Sequence, residues 1–196
     1  MGSVLYMSMS LDGYIAGLAD HVGNGLGNGG GRLHEWLWTG ADADPGGVPI
    51  GPSGVNGEVY GEMMSTGAVV VGRRTFEIAG EWNGNHHDEV PIFVLTRRAG
   101  DTPCWPLVTY VDDVREAMTR AKAAAGEKDV LVHGAKVAQL ALAAGVLDEL
   151  EIHQVPVLLG DGRRLFDQLK PEPVELQLSR VVNAPDVTHI RYRVRR

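Results

Sequence analysis

Unbroken runs of aliphatic and β-branched residues alternate along this chain with segments whose apolar positions recur every three or four residues. The runs are residues 4–9, 68–71 (AVVV), 91–96 (PIFVLT), 107–111 and 129–133 (DVLVH). Continuous apolar runs of this length suit strands buried on both faces of a parallel sheet. Helical spacing follows several of them. Residues 58–65 and 73–79 predict short helices, the second stopped by Gly80. Val114, Ala117, Met118 and Ala121 mark one helix face, with a capping box at Asp113 and Glu116 and a stop at Gly126. Residues 136–144 form another apolar helix closed by Gly145. Leu150 and Ile152 alternate, and Val155 and Val157 shift the phase by one, predicting a bulge or break before Pro156. Val174, Leu176, Leu178 and then Ile190, Tyr192, Val194 alternate on either side of residues 183–186 (NAPD), a terminal antiparallel hairpin. Strands alternating with helices and ending in a hairpin predict an α/β fold. Its central sheet is mostly parallel and flanked by helices, with an antiparallel C-terminal edge. A length of 196 residues suits a single domain spanning 1–196.

One stretch lacks either period. Residues 10–17 (SLDGYIAG) break the first strand, and residues 21–31 (HVGNGLGNGGG) are glycine-rich. Gly25, Gly27 and Gly30 spell a literal GxGxxG. The dinucleotide fingerprint requires a strand directly before it and a helix directly after; polar and glycine residues precede this one, so it reads as a mobile surface loop or lid. Residues 32–38 (RLHEWLW) read as a short helix or an apolar turn, and 40–57, with three prolines, as loop. Residues 18–57 therefore form a glycine-rich insertion. Residues 82–89 read as a polar loop and 159–162 as a turn.

Composition narrows the function classes. A net charge of −7 without a basic block argues against nucleic acid as a partner. No window approaches the ~20 apolar residues of a membrane span, and the N-terminus has no signal-peptide pattern. The single Cys104 forms no internal disulfide. A soluble, cytoplasmic protein acting on a small molecule is the expectation. His86, His87 and Asp88 are metal-ligand types, but no second cluster has a recognised spacing, so no metal is expected. GxSxG and Walker A motifs are absent.

Three strand-to-turn junctions carry the candidate chemistry: Gly72-Arg73-Arg74-Thr75, Thr96-Arg97-Arg98, and His133-Gly134-Ala135-Lys136. Ligands bind at the carboxyl ends of strands in open α/β sheets, and all three junctions lie at such ends. The first and third aim helix N-termini at a pyrophosphate, and the second offers a hydroxyl and two guanidinium groups to a phosphate.

These residues carry a resemblance. Residues 72–80 (GRRTFEIAG) resemble the phosphate-turn motif of dihydrofolate reductases, and SLDGYIAG resembles that family's first-strand exit. Residues 130–166, with DEL, PVLLGDG and LF elements, are closer still to the C-terminal reductase domain of riboflavin biosynthesis, the RibD type, and its stand-alone relatives. The resemblance implies a dihydrofolate reductase-like fold, NADPH as cofactor, a homodimer, and a hydride transfer to a pterin- or pyrimidine-like heterocycle. The implied activity is of the dihydrofolate reductase or 5-amino-6-(5-phosphoribosylamino)uracil reductase type. Residue by residue, it places Gly72, Arg73, Arg74 and Thr75 at one phosphate turn, and Gly134, Ala135, Lys136 and Val137 at the other. Thr96, Arg97 and Arg98 fall around the adenosine 2′-phosphate, and Ser8 and Ile15 beside the nicotinamide. The family's Gly-Gly pair is His133-Gly134 here, and its following tyrosine is Ala138.

The proton donor is open at this stage. Glu35 is either a buried acid with a raised pKa or an exposed glutamate on an amphipathic turn. Asp12 is either a carboxylate near the nicotinamide or a turn former. His153 either donates a hydrogen bond to substrate or is a core histidine. Trp36, Trp38 and Trp82 either stack on a flat ring or simply pack. Two functions remain: an NADPH-dependent reductase, or a non-catalytic nucleotide-binding or assembly module of the same fold.

Overall fold

The computed structural model describes residues 2–38, 51–98, 101–167, 169 and 172–195. Its centre is an eight-stranded sheet in the order β5-β4-β3-β6-β1-β7-β10-β9. The strands are β1 (Ser3–Ser10), β3 (Ala68–Gly72), β4 (Ile92–Leu95), β5 (Val108–Val111), β6 (Val130–His133), β7 (Glu149–Val155), β9 (Leu176–Ala184) and β10 (Val187–Val194). Every pairing from β5 to β7 is parallel, while β10 runs antiparallel to both β7 and β9. This is the predicted α/β architecture with its antiparallel C-terminal edge.

Val69, Val70 and Val71 of β3 are all fully buried, because helices cover both faces. On one face Val70, Val130 and Val132 pack with Ala117, Met118 and Ala121 of α3 (Val114–Ala125) and with Val137, Ala138 and Ala141 of α4 (Ala135–Ala144). The α3 cap is as predicted: the Asp113 carboxylate accepts from the Arg115 and Glu116 N–H groups. The opposite face, carrying Val69, Val71 and Ile92, packs with Phe76 of α2 (Arg73–Ile78), Met63 of α1 (Gly54–Met64) and Trp82.

Two local features, the start of α1 and a small ribbon, differ from the sequence-based reading, and two others settle alternatives it left open. α1 begins at Gly54, four residues before the predicted 58, so the loop expected over 40–57 ends by Ser53; residues 39–50 lie outside the described residues. Residues 30–37 form a 3-10 helix, Gly30–Leu37, that buries Leu33 and Trp36. The phase shift before Pro156 is a strand end: β7 stops at Val155, and Val157 O accepts from Leu11 N. A small antiparallel ribbon, β2 (Tyr14–Ala16) with β8 (Arg163–Arg164), was not predicted. The His133-Gly134 peptide is trans. Among the described residues no helix is long and apolar enough to cross a membrane.

The glycine-rich segment is folded as consecutive turns pinned to the end of β2. Gly17 N donates to Leu26 O at 2.8 Å and Asn28 N to Leu18 O at 2.7 Å. The GxGxxG letters have a packing cause. A Cβ on Gly25 would sit 2.6 Å from the Ile78 side chain, and one on Gly30 would sit 3.1 Å from the Leu26 Cβ. Gly27, at φ +67°, brings its Cα against the Gly17 carbonyl, where no side chain fits.

Candidate functional site

A cavity of about 820 Å³ opens at the carboxyl ends of β3, β4, β6, β1 and β7. Its walls are the α2 turn, the glycine-rich segment, the 3-10 helix, the α4 turn and the Met63-Met64 end of α1. Every cofactor position named from the sequence borders it except Arg98. Arg98 is exposed outside the cavity, and its N–H donates to Thr96 Oγ1.

The basic groups along the rim differ in what holds them. Arg73 is clamped by Glu77 at 2.8 Å and Asp101 at 2.7 Å, with its guanidinium over the Tyr110 ring. Arg74 and Arg163 share Asp20, at 3.0 and 2.7 Å. That carboxylate ties α2, the glycine-rich segment and β8 together. Burial pushes the Asp20 pKa up, but the hydrogen bonds from Arg163 and Arg74 outweigh it and hold it below the usual range. Arg97 is exposed and makes no ion pair among the described residues. Gly134 precedes α4 at φ +94°, and no side chain caps that helix. The N–H groups of its first turn are therefore open to an anion.

The catalytic candidates separate. Glu35 does not border the cavity; it points outward and pairs with Arg32 at 3.1 Å. Asp12 also lies outside. It accepts from Ser10 Oγ and from the Leu159 and Gly160 N–H groups, joining the β1–β2 turn to the loop after β7. The Ser10 hydrogen bond, with those from the backbone, holds its pKa down at about 2. His153 does border the cavity, at 2 % exposure. Trp36 is buried and donates from Nε1 to Ser8 Oγ at 2.9 Å, while Trp38 and Trp82 line the cavity wall.

Sequence reasoning missed the histidine wall. His34, His86, His133 and His153 all border the cavity. His133 Nδ1 faces Tyr6 O at 3.0 Å, and its Nε2 faces His86 Nε2 at 3.2 Å. His86 Nδ1 faces His87 Nδ1 at 2.7 Å, and His87 Nε2 ends the chain at Thr66 O, 3.1 Å away. Both ends are carbonyls, which only accept. His87 Nε2 also lies 3.2 Å from Thr66 Oγ1, a hydroxyl that can donate to it, so three ring protons suffice for the run of contacts. Burial and the neighbouring imidazoles keep His86 and His133 neutral at pH 7. Desolvation, then repulsion from His133 and His87, holds His86 down at about 2, and desolvation holds His133 at about 4. The adjacent His86-His87 pair was the available sequence signal; its meeting with His133 is a tertiary fact. No three His, Cys, Asp or Glu side chains among the described residues form a metal-binding group.

Comparison with known proteins follows the same outline. No curated protein matches the sequence. A putative riboflavin biosynthesis protein from Shewanella sp. PV-4 is similar in structure at TM-score 0.72 and 21% identity, with 100% of both chains covered. A pyrimidine reductase-like protein from Corynebacterium diphtheriae gives TM-score 0.64 at 13% identity, covering 100% of this chain and 92% of that one. A diaminohydroxyphosphoribosylaminopyrimidine deaminase/5-amino-6-(5-phosphoribosylamino)uracil reductase from Thermotoga maritima gives TM-score 0.60 at 16% identity; 98% of this chain aligns with 56% of that longer one. At these identities the likeness is one of fold. The family profile described as RibD C-terminal domain matches residues 4–190, and the chain belongs to that family, with a dihydrofolate reductase-like fold.

Proposed function

We propose that the protein is an NADPH-dependent reductase that passes a hydride to a C=N or C=O carbon of a small pterin- or pyrimidine-like heterocycle. One observation carries this reading. The uncapped start of α4, Arg74 and Arg97 share a single cavity with the aromatic and histidine wall. One end suits phosphates and the other suits a flat ring. The comparisons point the same way, since two of the similar structures are described as pyrimidine reductase-like or as a uracil reductase.

The residues present fit the cofactor. A Cβ at Gly134 would sit 2.5 Å from Thr75 Oγ1, so backbone and hydroxyl meet at a cradle that only glycine leaves open. In this reading Gly134, Ala135 and Lys136 hold the pyrophosphate with the α4 N–H groups, joined by Gly72, Arg74 and Thr75. Thr96 and Arg97 hold the 2′-phosphate, with Arg73 fixed behind them. Val137 belongs to the same pyrophosphate turn, and Ser8 and Ile15 border the nicotinamide. NADPH, when bound, supplies the hydride. Asp20 is the one carboxylate bordering the cavity among the described residues, and its arginines keep it ionised. In this reading no carboxylic acid at the cavity donates the proton that follows the hydride.

Arg97→Ala is expected to weaken NADPH binding about 10- to 100-fold while leaving NADH unchanged, the scale of one charged hydrogen-bond pair. Fluorescence titration with both nucleotides checks it; equal losses for both would remove Arg97 from the 2′-phosphate. The absence of a protonated carboxyl group among the described lining residues favours one second reading, a non-catalytic nucleotide-binding or assembly module. NADPH binding without turnover across pterin and pyrimidine acceptors would select it. Under either reading we propose a homodimer. The edge strand β9 exposes Leu176, Leu178 and Val181; sedimentation is expected to give twice the chain mass.

A further inference from the structure

His153 on β7 lies opposite Ser8 of β1 and His189 of β10, so the three share one face of the sheet. A hydrogen-bond chain reaches His153 from behind. Asn56, in the first turn of α1, donates from Nδ2 to Trp36 O at 3.4 Å, which turns its Oδ1 toward His189 Nε2 at 3.0 Å. An amide oxygen only accepts, so His189 Nε2 carries that ring's proton. A neutral imidazole has one proton, and His189 Nδ1 is then a lone pair. It faces His153 Nδ1 at 2.9 Å. His153 must donate there, which leaves its own Nε2 as a lone pair.

That Nε2 is buried and has no hydrogen-bond partner among the described residues, while the ring borders the cavity. Buried acceptors are rarely left unpaired, because the lost solvation is not recovered until a donor arrives. The surroundings offer little substitute: the Trp36 ring lies 4.7 Å from the imidazole and the Tyr6 ring 6.1 Å. The proton order holds while His189 is uncharged. Burial and then Arg180 push its pKa down to about 4, against Glu62. Burial, then His189, His133 and His34, push His153 well below its ordinary value.

We propose that His153 Nε2 is the acceptor that selects and orients the ligand: the site takes a flat heterocycle presenting a ring or exocyclic N–H to this atom. His189 and Asn56 are positioning residues that fix the tautomer. The donor role considered for His153 from the sequence is thereby reversed. The proposal rests on the reductase reading only for the class of molecule that enters; the acceptor belongs to the chain itself. A lactam whose N–H is methylated leaves Nε2 unpaired and adds a methyl against it, and is expected to bind about 100-fold more weakly.

The test is nitrogen NMR of the full chain with ¹⁵N-labelled imidazoles near pH 7. Without ligand, His153 is expected to carry its proton on Nδ1 alone. Uracil and 2-pyridone are expected to shift its Nε2 resonance, and 1,3-dimethyluracil and N-methyl-2-pyridone are not. A proton on Nε2, equal shifts from the methylated probes, or no shift from any lactam overturns the proposal. Asn56→Leu should release the tautomer and weaken lactam binding about tenfold, with NADPH affinity unchanged. His153→Gln, which keeps an acceptor, should retain the preference for N–H probes, and His153→Leu should lose it; discrimination surviving in the leucine variant also overturns the assignment. NADPH titration on the same samples separates the two readings. Failure of NADPH to bind, with N–H-selective shifts intact, removes the reductase and leaves the His153 acceptor standing.

Discussion

Gly134→Ala is expected to lower NADPH affinity at least about tenfold and the melting temperature by about 2–10 °C. The backbone there has φ +94° and ψ 147°, a region that residues with a Cβ adopt only under strain of about 1–3 kcal/mol. For a chain of this size, each kcal/mol moves the melting temperature by about 2–4 °C. The added Cβ also meets Thr75 Oγ1 at 2.5 Å, so α2 and α4 are pushed apart where the phosphates are proposed to sit. Two causes act together, and Thr75→Ala separates them. Removing the hydroxyl relieves the contact and leaves the backbone strain. Measured against Thr75→Ala, which itself loses a proposed phosphate contact, Gly134→Ala is therefore expected to cost less affinity than it does in the native chain and nearly the same thermal stability. No loss of either in that background would mean that the backbone torsion carries no cost. Calorimetry and nucleotide titration on the two single variants and the double variant give the answer.

Acidification to pH 5 is expected to remove most of the folding stability. His86, His133, His153 and His189 all have native pKa values below the ~6.5 of an unfolded histidine. As pH falls through that value the unfolded chain takes up protons that the native chain refuses. Stability therefore declines with falling pH, and the decline for His133 and His189 ends near their native values of about 4. Each histidine contributes up to about 1.4 kcal/mol per pH unit. Four over the one and a half units between ~6.5 and 5 give a ceiling of about 8 kcal/mol, the size of a whole domain's stability. Glu151, whose pKa burial raises, opposes this with a single group. The depressed carboxyls of Asp12, Asp20, Glu62 and Asp148 act only below about 4, beneath this window. Urea unfolding at pH 7.5, 6.5 and 5.5 checks it. A flat profile over that range would show that these imidazoles are not buried neutral in the native chain.

The sheet was legible in the sequence because its strands are unbroken aliphatic runs and its helices carry their own start and stop signals. Asp113 and Gly126 bracket α3 within a residue of its ends. β2 and β8 escaped because strands of three and two residues leave no period to read. α1 began early because its first turn, Gly54 to Gly57, looks like loop by composition. The half of the cavity proposed for the cofactor was legible because strand-end turns have a fixed topological place. The other half was not, since its wall comes from residues far apart in the chain. Glu35 shows how local geometry decides a role. A 3-10 helix has three residues per turn, so Leu33 and Trp36 point inward together and Glu35 is turned out.

Where the glycine-rich segment, the end of β2 and the start of β8 cross, Gly17, Gly27 and Gly162 touch backbone to backbone. A Cβ on Gly17 would run into Asn28 O, one on Gly27 into Gly17 O, and one on Gly162 into Ala16 O. Inheritance should bear the mark of this crossing. Related chains that keep it are free to drift at the exposed Val22, while these three glycines drift only together with the path of the main chain. Of the letters that spell a nucleotide fingerprint, the middle one, Gly27, is held by the room that three stretches of backbone need to pass one another.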